Sequence, residues 1–544
     1  MGSYRKEPYR IRCDMKMHFS LSLRRRLALA AAAGSCLLLA GCVVGPKYSP
    51  PAAQAPPTYK ESPANPQPQP AQPASATPST EDPTLGGLGE WSVAKPQDAM
   101  LRGKWWEVYK NDELNALEEQ VNINNQNIKQ YFENFMAARA IVRQARSQFF
   151  PTVTAGPSVS RSRSPSNLGS TGATGSLATK NSSNTLFELP IDGTWEPDLW
   201  GKVRNTVRQS QYQAQVSAAD LENERLTEQT NLATFFFELR AQDATKEILD
   251  QTVAADQKAL DLTRALYETG QTDRIAVVQA EATLESAQSQ ATNLGVARAQ
   301  YEHAIAVLIG KASAEYSIPY KPLLITPPPI PIGIPTQILQ RRPDIAAAER
   351  TMAMANAQIG IATAAYYPNL TLTGGAGFEG SALQSLFQWP SRFWSVGASL
   401  AETIFDAGLR RATVNQFTAT FNADLAAYRQ TVLTAFQQVE DALAALRILT
   451  EQIQQQRRAV ESNKTALDLE MKRYETGLDP YVDVVTQQTA LLSAQSALAQ
   501  IELQRTTASV QLIEALGGGW DRTELPSPEQ IAAKPAKAET VIEK

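Results

Sequence analysis

Apolar residues recur every seven positions without a break at Leu425, Val432, Val439, Leu446, Ile453, Val460, Leu467 and Tyr474. A second line, Phe421, Tyr428, Ala435, Ala442 and Leu449, sits three or four residues away. Two such lines are the a and d positions of a heptad, which imposes a left-handed supercoil. The pattern predicts one helix from about Arg410 to Tyr474, a rod on the order of 95 Å at ~1.5 Å per residue. Leu232, Leu239, Val253, Leu260 and Tyr267 keep the same step earlier in the chain, with Lys246 interrupting. Gly270 and Gly477 follow these runs, where a left-handed cap residue is wanted. Return helices then extend to about Ile309 and Leu516.

Elsewhere the period is two. Phe187, Leu189, Ile191 and Trp195 interleave with Glu188, Asp192, Thr194 and Glu196; Leu370, Leu372, Ala376 and Phe378 with Thr371, Thr373, Gly375 and Glu379. Trp394, Val396, Ala398 and Leu400 alternate with small polar residues, as do Val153, Ala155 and Val159. Such segments fit membrane β-strands, apolar outside and polar inside, and also fit a soluble sheet packed on one face. The Ser-, Gly- and Asn-rich stretch 160–185 reads as a surface loop, and Phe387, Trp389, Phe393 and Trp394 suit an interfacial aromatic girdle.

The two kinds of segment occur twice. Tyr267-Glu268-Thr269-Gly270 returns as Tyr474-Glu475-Thr476-Gly477, an offset of 474 − 267 = 207. Val277-Val278, Ser286-Ala287-Gln288-Ser289 and Gly310 recur at that offset, while Phe149-Phe150-Pro151 matches Tyr366-Tyr367-Pro368 at 217. Two long copies mean duplication, not a solenoid. The order in each is helix, strand, loop, strand, very long helix, tight turn, long helix. Proline clusters bound the copies: 12 prolines between Pro46 and Pro83, and 8 between Pro319 and Pro343. The expected organisation is a signal peptide at 1–41, a Pro-rich tether at 42–90, a first repeat at 91–318, a connector at 319–340, a second repeat at 341–520 and a flexible tail at 521–544.

Composition narrows the chemistry. Lys and Arg number 51 against 55 Asp and Glu, and no basic stripe suggests a nucleic-acid partner. All three cysteines (Cys13, Cys36, Cys42) fall in the first 42 residues, so the rest has neither disulfide nor thiol ligand. The two histidines, His18 and His303, stand alone. No Ser/His/Asp arrangement, metal-ligand spacing or phosphate-binding glycine loop supports an enzyme. Arg24-Arg25-Arg26 followed by the 14-residue run Leu27 to Ala40 reads as a secretory signal, too short to span a bilayer. It ends in Leu39-Ala40-Gly41-Cys42, which resembles a lipobox with Cys42 as the lipidated residue; Val43 after it favours the outer membrane. No metal and no cofactor beyond this covalent lipid are expected.

Four strands cannot close a barrel, and strand edges inside lipid must be paired, so several chains would have to share one. Cys42-Val43-Val44-Gly45-Pro46-Lys47-Tyr48, Trp105-Trp106 with Asp112-Glu113-Leu114, and Gly517-Gly518-Gly519-Trp520 resemble segments of the TolC-type outer-membrane efflux proteins, NodT-like lipoprotein branch. The most specific motif is Arg341-Arg342-Pro343-Asp344-Ile345, continuing to Ala348-Glu349-Arg350 and Tyr367-Pro368. The likeness covers about Cys42 to Trp520. It implies a mainly α fold with a membrane β-barrel portion: a homotrimer with a 12-stranded barrel (four strands per chain) and an α-helical coiled-coil tunnel through the periplasm. It also implies a periplasmic adaptor and an inner-membrane pump, often of the RND class, as partners. The turns at Gly270 and Gly477-Leu478 match the tips that adaptors contact; Tyr474 and Asp483 match the constriction that closes the resting duct. The second gate aspartate of that family falls on Thr486, and its first-half Thr-Asp pair on Ile275-Ala276. Glu470 and Arg473, three apart on one face, are then expected to supply closing ion pairs, or else to form an ordinary surface pair. Polar positions such as Gln437, Gln454, Gln455 and Gln456 suit a water-lined duct and a solvated outer face equally. Two other readings share parts of this pattern: a same-fold duct for proteins or oligosaccharides, and a non-porous lipid-anchored coiled-coil scaffold. The exported substrate is not encoded in these motifs.

Overall fold

The structure is a computed structural model and describes residues 43–51, 55–56, 58–61, 103–163, 183–323, 326–330 and 335–533. The signal segment and Cys42 lie outside the described residues, as do most of the tether and of the first hairpin loop.

The heptads form what they predict. Helix α1 is Asp112–Asn124, α2 Gln126–Ser147, α3 Lys202–Glu268, α4 Arg274–Leu308, α5 Pro335–Arg341, α6 Pro343–Ala364, α7 Leu409–Glu475, α8 Tyr481–Ala515 and α9 Pro528–Ala532. Along α7 the seven-residue line points inward: Val432, Val439, Ile453 and Tyr474 are buried, and Leu425, Leu446, Val460 and Leu467 half-buried. The duplication holds to the residue. Helices α3 and α7 each have 67 residues, and α4 and α8 each have 35, both pairs at an offset of 207. Helices α2 and α6 have 22 residues each at an offset of 217. The ten-residue difference therefore falls in the first strand hairpin, whose loop is longer.

The chain divides into two compact units. The first contains Gln148–Asn205, Gly360–Arg410 and the described residues before Pro46. It is built on one antiparallel sheet: β1 Thr152–Ala155, β2 Ser158–Arg163, β3 Ser183–Trp195, β4 Asn369–Gly380 and β5 Arg392–Ala401. The order is β1-β3-β4-β5, with β2 also on β3. The first strand, expected to be continuous through Val159, is interrupted at Gly156-Pro157, because proline has no N–H to give the ladder. Among the described residues the sheet still has four strand positions and two unpaired edges.

The second unit holds Pro46–Ser147, Thr206–Ile359 and the residues from Arg411 on. Its core joins Trp105, Leu114 and Val121 to Leu232, Phe236 and Leu239 of α3, to Val432 and Val439 of α7, and to Leu512 of α8. Each fully buried Leu or Phe contributes roughly 1.5–3 kcal/mol. The repeats use the same joint twice. Gly310 and Gly517, past the ends of α4 and α8, have φ of +72° and +93°. A Cβ on Gly310 would lie 2.5 Å from the Asn124 carbonyl oxygen, and one on Gly517 2.0 Å from that of Arg341. Only glycine permits either approach. Beside them, Asn125 Nδ2 donates to Leu308 O at 3.0 Å, and Arg342 Nη1 to Ala515 O at 3.0 Å. Arg342 also forks Asp344 and reaches Gln438 Oε1 at 2.8 Å. The Arg-Arg-Pro-Asp-Ile motif is therefore a clamp joining α6, α7 and α8.

Two expectations are corrected. The tether is not free along its described part: Tyr59 is 3% exposed in the core, and the Lys60 and Glu61 amides donate to Glu440. Its aromatic residues supply the apolar surface that its prolines lack. The tail is folded as far as residue 533. A capping box at Ser527 starts α9, and its Ile531 is buried against Ala138, Val142 and Ala214.

The connector is fixed by a buried ionic group. Asp243 accepts from Arg240 Nη1 at 3.0 Å, Arg298 Nε at 2.7 Å and the Lys321 amide at 3.0 Å. Arg240 also pairs with Glu113 and donates to Pro319 O. We predict that Asp243→Ala costs about 3–5 kcal/mol, because it leaves the wholly buried Arg240 side chain short of its counter-charge. Denaturation midpoints in detergent measure it; a loss below ~1 kcal/mol would contradict this role.

Candidate functional site

The strand register sorts every side chain of the sheet by chemistry. Ile191 lies opposite Ala155 and Ala376, Leu372 opposite Trp195 and Ala398, Val396 opposite Gly374, and Leu400 opposite Leu370. Directly paired residues share a face, so one face carries Val153, Ile191, Leu372, Trp394, Val396 and Leu400. The other carries Thr154, Ser158, Glu188, Asp192, Thr373, Ser395 and Ser399. Among the described residues nothing covers the apolar face: Val153 is 65% exposed, Trp394 80% and Val396 81%. A soluble sheet buries its apolar face, and the exposure of these residues favours the membrane reading instead. Aromatic residues collect at both ends of the strands. Trp200 stacks on Tyr367 at 4.8 Å and donates to Pro368 O at 2.8 Å, and Trp195 donates to Phe149 O at 3.0 Å. At the hairpin end, Phe387, Trp389 and Trp394 are exposed.

The second locus is the pair of turns closing the long helices. Gly270 and Gly477 both have φ of +73°, the left-handed value expected of a cap. Each supports a Schellman turn: Gln271 N donates to Leu266 O at 2.8 Å, and Leu478 N to Arg473 O at 2.9 Å. Both turns line one cleft of about 570 Å³ that includes Tyr474, Asp479 and Tyr481, while Leu478 is 72% exposed. The first turn is capped by Asp273, which accepts from Ala276 N; the second has Pro480 at that place and no side-chain cap.

Tyr474 is buried. Its hydroxyl donates to Thr263 Oγ1 at 3.1 Å and its ring lies 5.2 Å from that of Tyr481. Its repeat partner Tyr267 is exposed, so the two halves diverge here. Asp483 is exposed in the first turn of α8. Arg473 does not take Glu470 as its main partner: its guanidinium forks Asp479, with Nη2 2.8 Å from Oδ1. The Schellman turn folds the chain back, so a residue six positions on lies under the arginine. Arg473 holds the Asp479 carboxyl below the usual carboxylate range, and the hydrogen bond with Asp479 raises the pKa of Glu470. The tip charges thus form a coupled group of Glu470, Arg473 and Asp479. Asp479 was not singled out in the sequence because its repeat partner is Thr272 and its distance from Arg473 matches no helical period.

A second buried group was also missed. Asp256 of α3 is 2% exposed, and it lines a cavity of about 300 Å³ with Thr252, Thr283, Ser286 and Gln488. Among the described residues Asp256 Oδ1 and Gln488 Oε1 have no hydrogen-bond partner. Burial lifts the Asp256 pKa to about 6.

A sheet with one bare apolar face between two aromatic bands, joined to paired coiled-coil hairpins, defines an outer-membrane channel protein. The chain belongs to the outer membrane efflux protein family, whose sequence profile matches residues 117–311 and 334–518. It is 32% identical over 417 residues to the probable efflux pump outer membrane protein TtgC of Pseudomonas putida, covering 76% of this chain and 85% of that one. It is 31% identical over 458 residues to the outer membrane protein OprJ of Pseudomonas aeruginosa, covering 82% and 93%. Among solved structures, the outer-membrane channel OprN superposes with a TM-score of 0.76 at 27% identity, over 88% of this chain and 100% of that chain. The Campylobacter jejuni CmeC channel shares the fold, with a TM-score of 0.76 at 24% identity, over 89% and 96%. The protein is accordingly the outer-membrane channel component of a tripartite efflux system, with the helical-tunnel-plus-barrel fold of the TolC class. Its family and relatives are channels, not enzymes.

The raised Asp256 pKa has a definite sign in stability. A carboxyl at about 6 in the folded state and ~3.9 unfolded binds its proton more tightly when folded. Folding is therefore favoured as pH falls from about 7 towards 4. We expect Asp256→Asn to stabilise the protein at pH 7.5 by roughly 1–3 kcal/mol, and to lose that advantage by about pH 4. Parallel melting curves of wild type and variant test this; a difference that does not change with pH would refute it.

Proposed function

We propose that three copies close one 12-stranded barrel and bundle their long helices into a passive duct, through which small toxic molecules leave the cell. The observation that carries this reading is the sheet: four strand positions, two unpaired edges and one uncovered apolar face. Unpaired strand edges are not tolerated in lipid, and four strands are half of the smallest known single-chain barrels. Pairing β5 of one copy with β1 and β2 of the next removes every edge. The polar strand face and exposed residues such as Gln437, Gln454 and Gln455 then border water.

The cargo class is supported by relatives named for it, among them a toluene efflux pump outer membrane protein and an antibiotic efflux pump outer membrane protein, both of Pseudomonas putida. The turns at Gly270 and Gly477-Leu478 are the surfaces for a periplasmic adaptor, with a pump of the RND class behind it. The chain itself catalyses nothing; the pump supplies the energy. Tyr474, Asp483, Glu470 and Arg473 form the gate, with the Arg473–Asp479 pair holding the tip turn closed.

Cys42 carries lipid that tethers the mature N-terminus to the outer membrane. This is supported by the two residues after it. Val44 N donates to Trp200 O at 3.1 Å, and Val43 packs so tightly on Gly201 that a Cβ there would come within 3.0 Å. Val43 and Val44 are thereby held beside the Trp200–Tyr367 aromatic pair, where a lipid interface is expected.

Purified protein is expected to be trimeric in detergent and to conduct ions in planar bilayers. A monomer at all concentrations that leaves bilayers electrically silent would defeat the reading. Charge reversal, Arg473→Glu, is expected to raise single-channel conductance by breaking the tip pair; unchanged conductance would remove Arg473 from the gate.

A further inference from the structure

Charge at the hairpin end of the sheet is divided by face. Arg161 and Arg163 of β2 lie opposite Thr185 and Ser183, and Arg392 opens β5 opposite Phe378. This register puts all three guanidinium groups on the face of Val159, Phe187 and Trp394. The carboxylates of this end, Glu188 and Glu379, face each other on the polar side, where Ser158 Oγ meets Glu188 at 3.1 Å. All three arginines are exposed, and among the described residues none of them forms an ion pair. Arg392 instead lies 3.6 Å above the Trp389 ring. The loops add no counter-charge: residues 164–182 contain Lys180 and no Asp or Glu, and residues 381–391 contain no charged side chain.

Arginine on a lipid-facing strand is unfavourable at mid-membrane and close to neutral at the interface. From Trp195 to Thr185 is about ten residues, roughly 33 Å of strand, or ~25 Å of height at a tilt near 40°. That equals the apolar band of an outer-membrane barrel and sets Arg161 at its upper border. The guanidinium group forms paired hydrogen bonds with phosphate oxygens, and a cationic rim without internal counter-ions suits an anionic surface outside.

We propose that Arg161, Arg163 and Arg392 form a binding site for phosphorylated glycolipid of the outer leaflet, with lipid phosphate as the ligand group. The inference rests on the channel reading, which makes the hairpin end the outward one. Pairing β5 of one copy with β2 of the next brings Arg392 to the same seam of the barrel as Arg161 and Arg163. The Trp389 ring under Arg392 packs against the sugar and acyl region below the phosphate. The inward Glu188 and Glu379 keep this attraction off the pore side.

The test titrates the full-length protein in non-ionic detergent with bis-phosphorylated lipid A and with its dephosphorylated form, counting bound lipid by native mass spectrometry. Wild type should prefer the phosphorylated lipid by about tenfold or more. R161Q/R163Q/R392Q should abolish that preference, and R161K/R163K/R392K, which keeps the charge without the paired geometry, should retain only part of it. Equal retention of both lipids by wild type, needing no variant, would overturn the site. So would a glutamine variant with unchanged preference, or full displacement of lipid A by equimolar inorganic phosphate. Single-channel conductance of the same samples separates this from the channel reading. A silent wild type that still selects phosphorylated lipid would sink the channel and leave the lipid site standing.

Discussion

A strand edge carries unpaired N–H and C=O groups, and lipid offers them nothing. This constraint governs the rest of the molecule. It bears on a sheet of four strand positions, and the same lipid that offers its edges nothing suits apolar side chains such as Val396 that stand in the open. The polar face has the matching logic. Gly375 and Gly397 leave room for Asp192 and Thr373 beside them, so small residues and hydroxyls line the side that water must reach.

The duplication supplies two quasi-equivalent halves, and the structure shows where equivalence is enforced and where it is relaxed. At the base of each return helix it is enforced: Gly310 with Asn124, and Gly517 with Arg341, repeat one backbone approach, while Asn125 and Arg342 cap corresponding carbonyls with different side chains. At the turns it is relaxed. Tyr474 is buried with Thr263 and Tyr481, whereas Tyr267 faces solvent, and Asp273 caps a helix start where its counterpart is Pro480. Equivalence holds where a backbone approach admits only glycine, and at the turns each copy makes its own contacts.

Much of this is legible in the amino-acid sequence. The heptad from Leu425 to Tyr474 marked α7 to within a residue or two, because a periodic apolar stripe has one low-energy solution. The two-residue alternation placed each strand face correctly, since pleating leaves no other choice. What was hidden depends on contacts with no sequence period. Asp479 meets Arg473 through a turn, and Asp256 and Gln488 share a cavity though 232 positions apart (488 − 256). The motif around Arg342 was visible as a signature, but its purpose, gripping Asp344, Gln438 and the end of α8, needed the fold. The folded tail through residue 533 is not legible in the sequence, because a five-residue helix with one buried isoleucine gives almost no periodic signal.

The equal lengths of the twin helices carry a further consequence. With 67 residues in both α3 and α7, the two turns reach a common level, and they border one cleft. Losing a single residue from one helix would drop its turn by about 1.5 Å and rotate it by about 100°, spoiling both the level and the stripe. Insertions and deletions in these rods are therefore admissible only as matched sets, in whole heptads and in both copies together. Length behaves here as a shared gauge, and a lineage can lengthen or shorten its conduit only in steps of about 10 Å.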